Sequence, residues 1–92
     1  MATPPAPDAA SVYAAMSPTA LFQAMAEAAN RLTGQLVHLA DSASTDEQRQ
    51  DLLAQIQRVR DERWAVRADD RDTQLARIQQ WEQERRRLLG RS

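Results

Sequence analysis

The side chains that could carry acid–base or metal chemistry are few and widely spaced in this sequence. His38 is the single histidine among 92 residues. Glu27 precedes it by about three helical turns, whereas two metal ligands on one helix need a spacing of three or four residues. The pair therefore does not predict a metal site, and His38 is interpreted as a solvated surface residue.

The acidic run Asp69-Asp70-x-Asp72 is the other candidate for ligand chemistry. It lacks the glycine and the terminal glutamate of a calcium loop, so turn or capping chemistry is the better interpretation. Cysteine is absent, and glycine occurs only at positions 34 and 90, which excludes thiol chemistry and a glycine-rich phosphate loop. The sequence therefore predicts a protein that is not an enzyme and that needs no cofactor and no metal.

Arginine is the only basic residue type in the chain. All 12 basic side chains are arginine, and the formal net charge is −1. That charge does not favour nucleic acid as a partner. Codon usage in a GC-rich bacterial genome would explain the bias towards arginine. The functional alternative is that the planar guanidinium is needed to pair with carboxylates or phosphates.

A helix over residues 18–42 is the first element that must position these side chains. Ser17-Pro18 is a typical helix start, because serine accepts a hydrogen bond at the N-cap and proline is tolerated in the first turn. Apolar residues then recur at spacings of three and four, which places them on one face. They are Leu21, Met25, Ala28, Leu32, Leu36, Leu39 and Ala43.

The segment before this helix has a different composition. Residues 1–10 contain three of the four prolines and are predicted to form an extended tail, with a single small α-helical domain over 11–92. The beginning of the chain lacks the basic and apolar regions of a secretory signal. No apolar run approaches the roughly 18–20 residues that a membrane span needs. We therefore expect a cytoplasmic bacterial protein.

The second half of the chain allows two arrangements. Ser44-x-x-Glu47 is a capping box, so a second helix is predicted over about 45–67, and a third segment over about 72–89. A break near Asp69–Asp72 would give a three-helix arrangement. Without the break, a helical hairpin with one long C-terminal helix results. The apolar residues keep a common phase across the interval, and this favours the long helix.

Arginines occupy the apolar face of the second helix. On a helical wheel Arg60, Arg63 and Arg67 fall among the apolar residues, while the acidic residues cluster on the reverse. Arg63 lies near the middle of the apolar face, where an unpaired buried charge would cost several kcal/mol. We therefore expect one alanine-rich helix to cover this face only in part, leaving residues from about Trp64 onward exposed.

Tryptophan and arginine interleaved on an apolar strip are typical of protein interfaces. The predicted partner-binding residues are Arg60, Arg63, Trp64, Arg67, Leu75, Ile78 and Trp81. The size and helical layout are similar to those of small antitoxins and effector chaperones. From the exposed strip we predict a non-catalytic protein, an antitoxin-like inhibitor or a dedicated chaperone, that masks a larger protein partner such as a toxin, effector or enzyme.

Two other functions are compatible with the same residues. The strip could pair with its own symmetry mate, which would make the protein a structural homo-oligomer. The basic run Arg85-Arg86-Arg87 could serve a nucleic-acid-associated regulatory accessory, although a helix C-terminus also favours cations through its dipole. Self-association and a foreign partner both remain open from the sequence.

Overall fold

The computed structural model describes residues 12–13 and 15–90, and within residues 18–90 the chain forms three long α-helices. We label them α1 (Pro18–Asp41), α2 (Asp46–Ala65) and α3 (Arg71–Leu89). The described residues contain no strand, so the predicted all-α class is confirmed. None of these helices combines the length and apolar character that crossing a bilayer requires. The tail predicted for residues 1–10 lies outside the described residues.

Both α2 and α3 pack against α1. Ser17 caps α1, because its Oγ accepts a hydrogen bond from the backbone N–H of Ala20 at 3.2 Å. One face of α1 is buried along its whole length, and each fully buried leucine stabilises the fold by roughly 1.5–3 kcal/mol. The buried residues of α1 are Leu21, Met25, Ala28, Ala29, Leu32, Leu36 and Ala40.

Contacts at the two ends of α1 give the directions of the other helices. Arg71 at the start of α3 donates to the carbonyl of Met16 at 2.8 Å, just before α1 begins. Leu88 near the end of α3 lines one cavity together with Leu39 near the end of α1. α3 therefore runs parallel to α1. α2 returns after the short turn over 42–45 and runs antiparallel to both.

The common phase of the apolar residues favoured one long C-terminal helix. This prediction is wrong, because α2 ends at Ala65 and α3 begins at Arg71. Val66 has extended backbone torsions, with φ −81° and ψ 127°. Asp70 then caps α3: its carboxylate accepts the Thr73 backbone N–H at 3.1 Å and the Thr73 hydroxyl at 2.7 Å. Local capping thus starts a new helix, whatever the phase of the apolar residues on either side.

Buried Gln74 fixes the loop between α2 and α3. Its side chain donates from Nε2 to the backbone carbonyls of Arg67 and Ala68 at 2.9 and 3.0 Å. These bonds supply partners for carbonyls just beyond the end of α2. The loop returns α3 along α1, so the expectation that the chain after Trp64 lacks cover is wrong for α3.

The cap of α3 should make the stability of the fold depend on pH. Hydrogen bonds from Thr73, first from its hydroxyl and second from its backbone N–H, lower the pKa of Asp70. Because the folded-state pKa lies below the unfolded one, the stabilisation is complete above about pH 4 and is lost as the pH falls through the folded-state pKa.

An Asp70→Asn variant isolates this contribution, because asparagine also caps helices but does not titrate. We expect the wild-type protein to melt at a higher temperature at pH 7, and the difference to shrink as the pH falls below about 4. Melting followed by circular dichroism at a series of pH values measures it. A difference that stays constant down to about pH 2.5 would contradict the assignment of the cap.

Gly34 offers a second test of the fold, since it lies in the middle of α1 on the exposed side. A Cβ added there would meet no atom within 4 Å. We therefore expect Gly34→Ala to raise the free energy of unfolding by about 0.5–1 kcal/mol through helix propensity alone. A shifted urea midpoint with an unchanged slope would show it. Gly90→Ala, at the C-cap of α3, is the control and should change stability less, and any loss of stability in Gly34→Ala contradicts the prediction.

Candidate protein-docking surface

Polar side chains join α2 to α3, whose backbones barely approach each other. Glu62 lies at the centre of this interhelical polar cluster. Its Oε1 accepts from Arg58 at 2.8 Å and from the Trp81 indole N–H at 3.1 Å, and its Oε2 accepts from Arg77 at 3.0 Å. The cluster consists of Arg58, Glu62, Arg77, Gln80, Trp81 and Glu84.

A second carboxylate completes the interhelical polar cluster. Glu84 accepts from the other Nη of Arg58 at 2.7 Å. This hydrogen bond, opposed by partial burial and aided by the charges of Glu84 and Glu62, raises the pKa of the Arg58 guanidinium. The side of α2 that carries Arg58 and Glu62 therefore contacts α3. The side of α2 that points away from α3 faces outward.

Two of the predicted partner-binding residues lie in the core of the chain itself. Ile78 and Trp81 of α3 are 0% exposed, and both belong to the same apolar cluster as the buried face of α1. Leu75 is half-buried and packs against that cluster. The prediction that these three residues form an exposed docking strip is corrected, because α3 folds back on α1 instead of extending away from it.

Trp64 is placed differently, with 85% of its surface exposed at the end of α2. Leu53 is 44% exposed, and Arg60 is exposed between them. At 100° per residue, Leu53, Arg60 and Trp64 lie within about 40° of one another on the helix. We call these three residues the outer face of α2. An indole this exposed contributes little to the stability of its own chain.

The two remaining predicted arginines flank the outer face of α2. Arg63 is half-buried at the edge between α1 and α2, where its Nη1 donates to Asn30 Oδ1 at 3.3 Å. It is therefore not stranded in the core, and an amide rather than a carboxylate contacts it. Arg67 pairs with Asp69 at 3.1 Å, but the two side chains are 79% and 74% exposed, so the pair contributes little energy.

Two residues of this region were not among the partner-binding residues predicted from the sequence. Leu53 was not named, although its position three turns before Trp64 places both side chains on one line along the helix. Asn30 of α1 contacts Arg63. This contact could not be predicted from α1 alone, because the orientation of α1 relative to α2 depends on the fold.

The predicted site is thus divided by the fold into two groups. Arg60, Arg63, Trp64 and Arg67 lie together at and beyond the second half of α2, while the α3 residues stabilise the domain. The arrangement offers a convex surface with one large aromatic side chain and neighbouring guanidinium groups. Comparison with family models, curated proteins and solved structures gives no match to this chain.

Proposed function

We propose that this protein is a non-catalytic binding module that docks on a larger protein through the outer face of α2. Trp64 carries the proposal. An aromatic side chain of this size buries about 150–250 Å² when it is covered, and buried tryptophans dominate the binding energy of many interfaces. Masking of a toxin, effector or enzyme, in the manner of an antitoxin or a dedicated chaperone, is the specific role we propose.

The shape of the surface supports a larger partner over a second copy. Trp64 projects from the convex side of a single helix, and a convex helix face fits a groove or pocket on its partner. Self-pairing along this face would bring two convex surfaces together. A contact made by one helix of each copy would bury less surface than the roughly 800 Å² per partner that is typical of stable interfaces.

Charge does not support the nucleic-acid alternative. Arg86 and Arg87 are exposed, but they lie in the last turn of α3, where the helix dipole favours cations. Elsewhere on the described surface acidic residues alternate with basic ones, for example Asp46 with Arg49. A continuous basic track that follows a phosphate backbone is not formed by the described residues.

Site-directed photo-crosslinking in the source organism tests the proposal. A benzoylphenylalanine is placed at position 64, and a matched control carries it at position 83, which is exposed on the far helix α3. We expect one larger crosslinked product from position 64 and none from position 83. Excess wild-type chain should suppress the product, and excess Trp64→Gln chain should not, because truncation of a hot-spot tryptophan costs about 2 kcal/mol or more.

The mass of the product separates the alternatives. A product of twice the chain mass, with a dimer in sedimentation of the purified protein, would replace the proposal with a homo-oligomer. Equal crosslinking from both positions, or suppression by both competitors, would show that Trp64 is not part of a specific interface.

A further inference from the structure

A shallow groove lies beside the outer face of α2, along the edge where α2 meets α1. It has a volume of about 110 Å³ and is lined by Ala29, Asn30, Thr33, Val59, Arg60 and Arg63. Ala29 and Val59 form its buried apolar floor, being 2% and 0% exposed. Two arginines therefore line a small groove that has no acidic residue in its lining.

The polar groups of this groove are almost all hydrogen-bond donors. Arg60 has no hydrogen-bond or ion-pair partner among the described residues, and Arg63 uses one N–H on Asn30. Since Asn30 Oδ1 accepts that bond, the part of Asn30 that remains available is its NH₂ group. The Thr33 hydroxyl is the exception, because its single hydrogen is donated to the carbonyls of Ala29 and Asn30 at 3.0 and 3.1 Å and its oxygen remains as an acceptor.

The other surface arginines of α2 and its following loop differ in this respect. Arg49 pairs with Asp46 at 3.2 Å and Arg67 pairs with Asp69 at 3.1 Å, in both cases within a few residues along the chain. Among these described arginines of α2 and its following loop, Arg60 and Arg63 come from consecutive turns and line the groove without an acidic residue. Two like charges held close together favour an anion between them.

We infer that this groove binds a carboxylate of an aspartate or glutamate side chain on the partner protein, next to the site where Trp64 docks. The inference rests on the proposed function and names the chemistry of the partner. Guanidinium groups bind carboxylates through paired, charge-assisted hydrogen bonds, and the apolar floor limits competition from water. The Asn30 amide supplies an additional neutral donor.

A protein carboxylate fits the surroundings better than a nucleic-acid phosphate. The groove shares Arg60 with the outer face of α2, where Leu53 and Trp64 are exposed, and Asp61 is exposed on the same helix. A phosphate backbone would bring repeated negative charges past Asp61 and the acidic start of α2. An acidic side chain within an apolar segment would bring a single charge to the two arginines.

The probe for this test is the octapeptide acetyl-Leu-Glu-Glu-Leu-Leu-Glu-Glu-Leu amide, titrated into the ¹⁵N-labelled full chain and followed by NMR. A twin with glutamine at every glutamate is the matched ligand control, and a 16-base-pair mixed duplex DNA is the phosphate probe. The test variant is Arg60→Gln/Arg63→Gln. Its control, Arg86→Gln/Arg87→Gln, removes the same charge from an exposed position on α3.

We expect the acidic peptide to shift the side-chain amide of Asn30 and the indole of Trp64, and to bind at least ten-fold more tightly than its glutamine twin. Arg60→Gln/Arg63→Gln should weaken binding at least ten-fold, and the Arg86/Arg87 variant less than two-fold. Equal loss in both variants, equal binding of both peptides, or tighter binding of DNA through the same residues would overturn the inference.

The same variants separate this inference from the proposed function. If the acidic peptide does not bind but crosslinking from position 64 persists in the Arg60→Gln/Arg63→Gln chain, the docking function stands and the inferred carboxylate site is wrong. If crosslinking from position 64 is absent while the peptide binds as expected, the proposed function fails and the groove remains an anion site.

Discussion

Replacement of Trp81 by alanine is expected to destabilise the protein by about 3–5 kcal/mol, the range for deleting a buried tryptophan side chain. Trp81 is 0% exposed, and its indole N–H donates to Glu62. The substitution therefore leaves a cavity and also removes a hydrogen bond from the interhelical polar cluster. A loss of this size is comparable with the total stability of a small domain, about 5–15 kcal/mol. Trp81→Phe, which retains one six-membered aromatic ring and removes the indole N–H, keeps the effect measurable if the alanine variant does not fold.

Trp64 is the matched control for this prediction, because the chain has only two tryptophans and they lie in opposite environments. We expect Trp64→Ala to change the free energy of unfolding by no more than about 0.5 kcal/mol. Urea denaturation measures both variants. In the folded Trp64→Phe chain, the remaining Trp81 fluorescence should resist quenching by acrylamide. Similar losses of stability in the two alanine variants would show that the indoles are not divided in this way.

Glu62→Gln is the substitution with the second largest expected effect. It removes the negative charge of the Glu62 carboxylate, which accepts hydrogen bonds from both Arg58 and Arg77. Glu84 would then be the one carboxylate left in a cluster with two guanidinium groups. Losing one member of a buried ion pair costs about 3–5 kcal/mol, and we expect about 2–3 kcal/mol here because the arginines are partly exposed to water. The free energy of unfolding from urea titration at low and high salt measures the change.

Glu27→Gln serves as the control for the loss of one negative charge. Glu27 is exposed in the middle of α1 and has no ion pair among the described residues, so its replacement should change the free energy of unfolding by no more than about 0.5 kcal/mol. If Glu62→Gln behaves like Glu27→Gln, the interhelical polar cluster does not stabilise the packing of α3 on α2.

The helices were predictable because their signals are local. Ser17 caps α1 as expected, and Thr45 caps α2 by accepting the Gln48 N–H at 3.1 Å. The junction between α2 and α3 was mispredicted because two criteria competed. The periodicity of the apolar residues is continuous over a long segment and suggested one helix. The hydrogen bonds between Asp70 and Thr73 nevertheless fix where α3 begins, and the buried Gln74 stabilises the loop before it.

The docking surface was only half predictable, for a different reason. A helical wheel assumes that a helix has one packing face, whereas α2 contacts α1 through apolar residues and α3 through polar ones. Glu62 therefore looked solvent-exposed in the sequence and is in fact an interior partner of Trp81. The exposure of Trp64 follows from that second contact, which no periodicity within α2 could reveal.

The bonds from Arg71 to the carbonyls of Tyr13 and Met16 have a practical consequence for handling this molecule. They anchor the chain at residue 13 to the end of the domain where Trp64 lies. Gly90 lies at the opposite end, about 28 Å away along the 19 residues of α3. A purification tag or surface tether should be attached after Gly90. Immobilised through that end, the protein presents its indole to solution unobstructed.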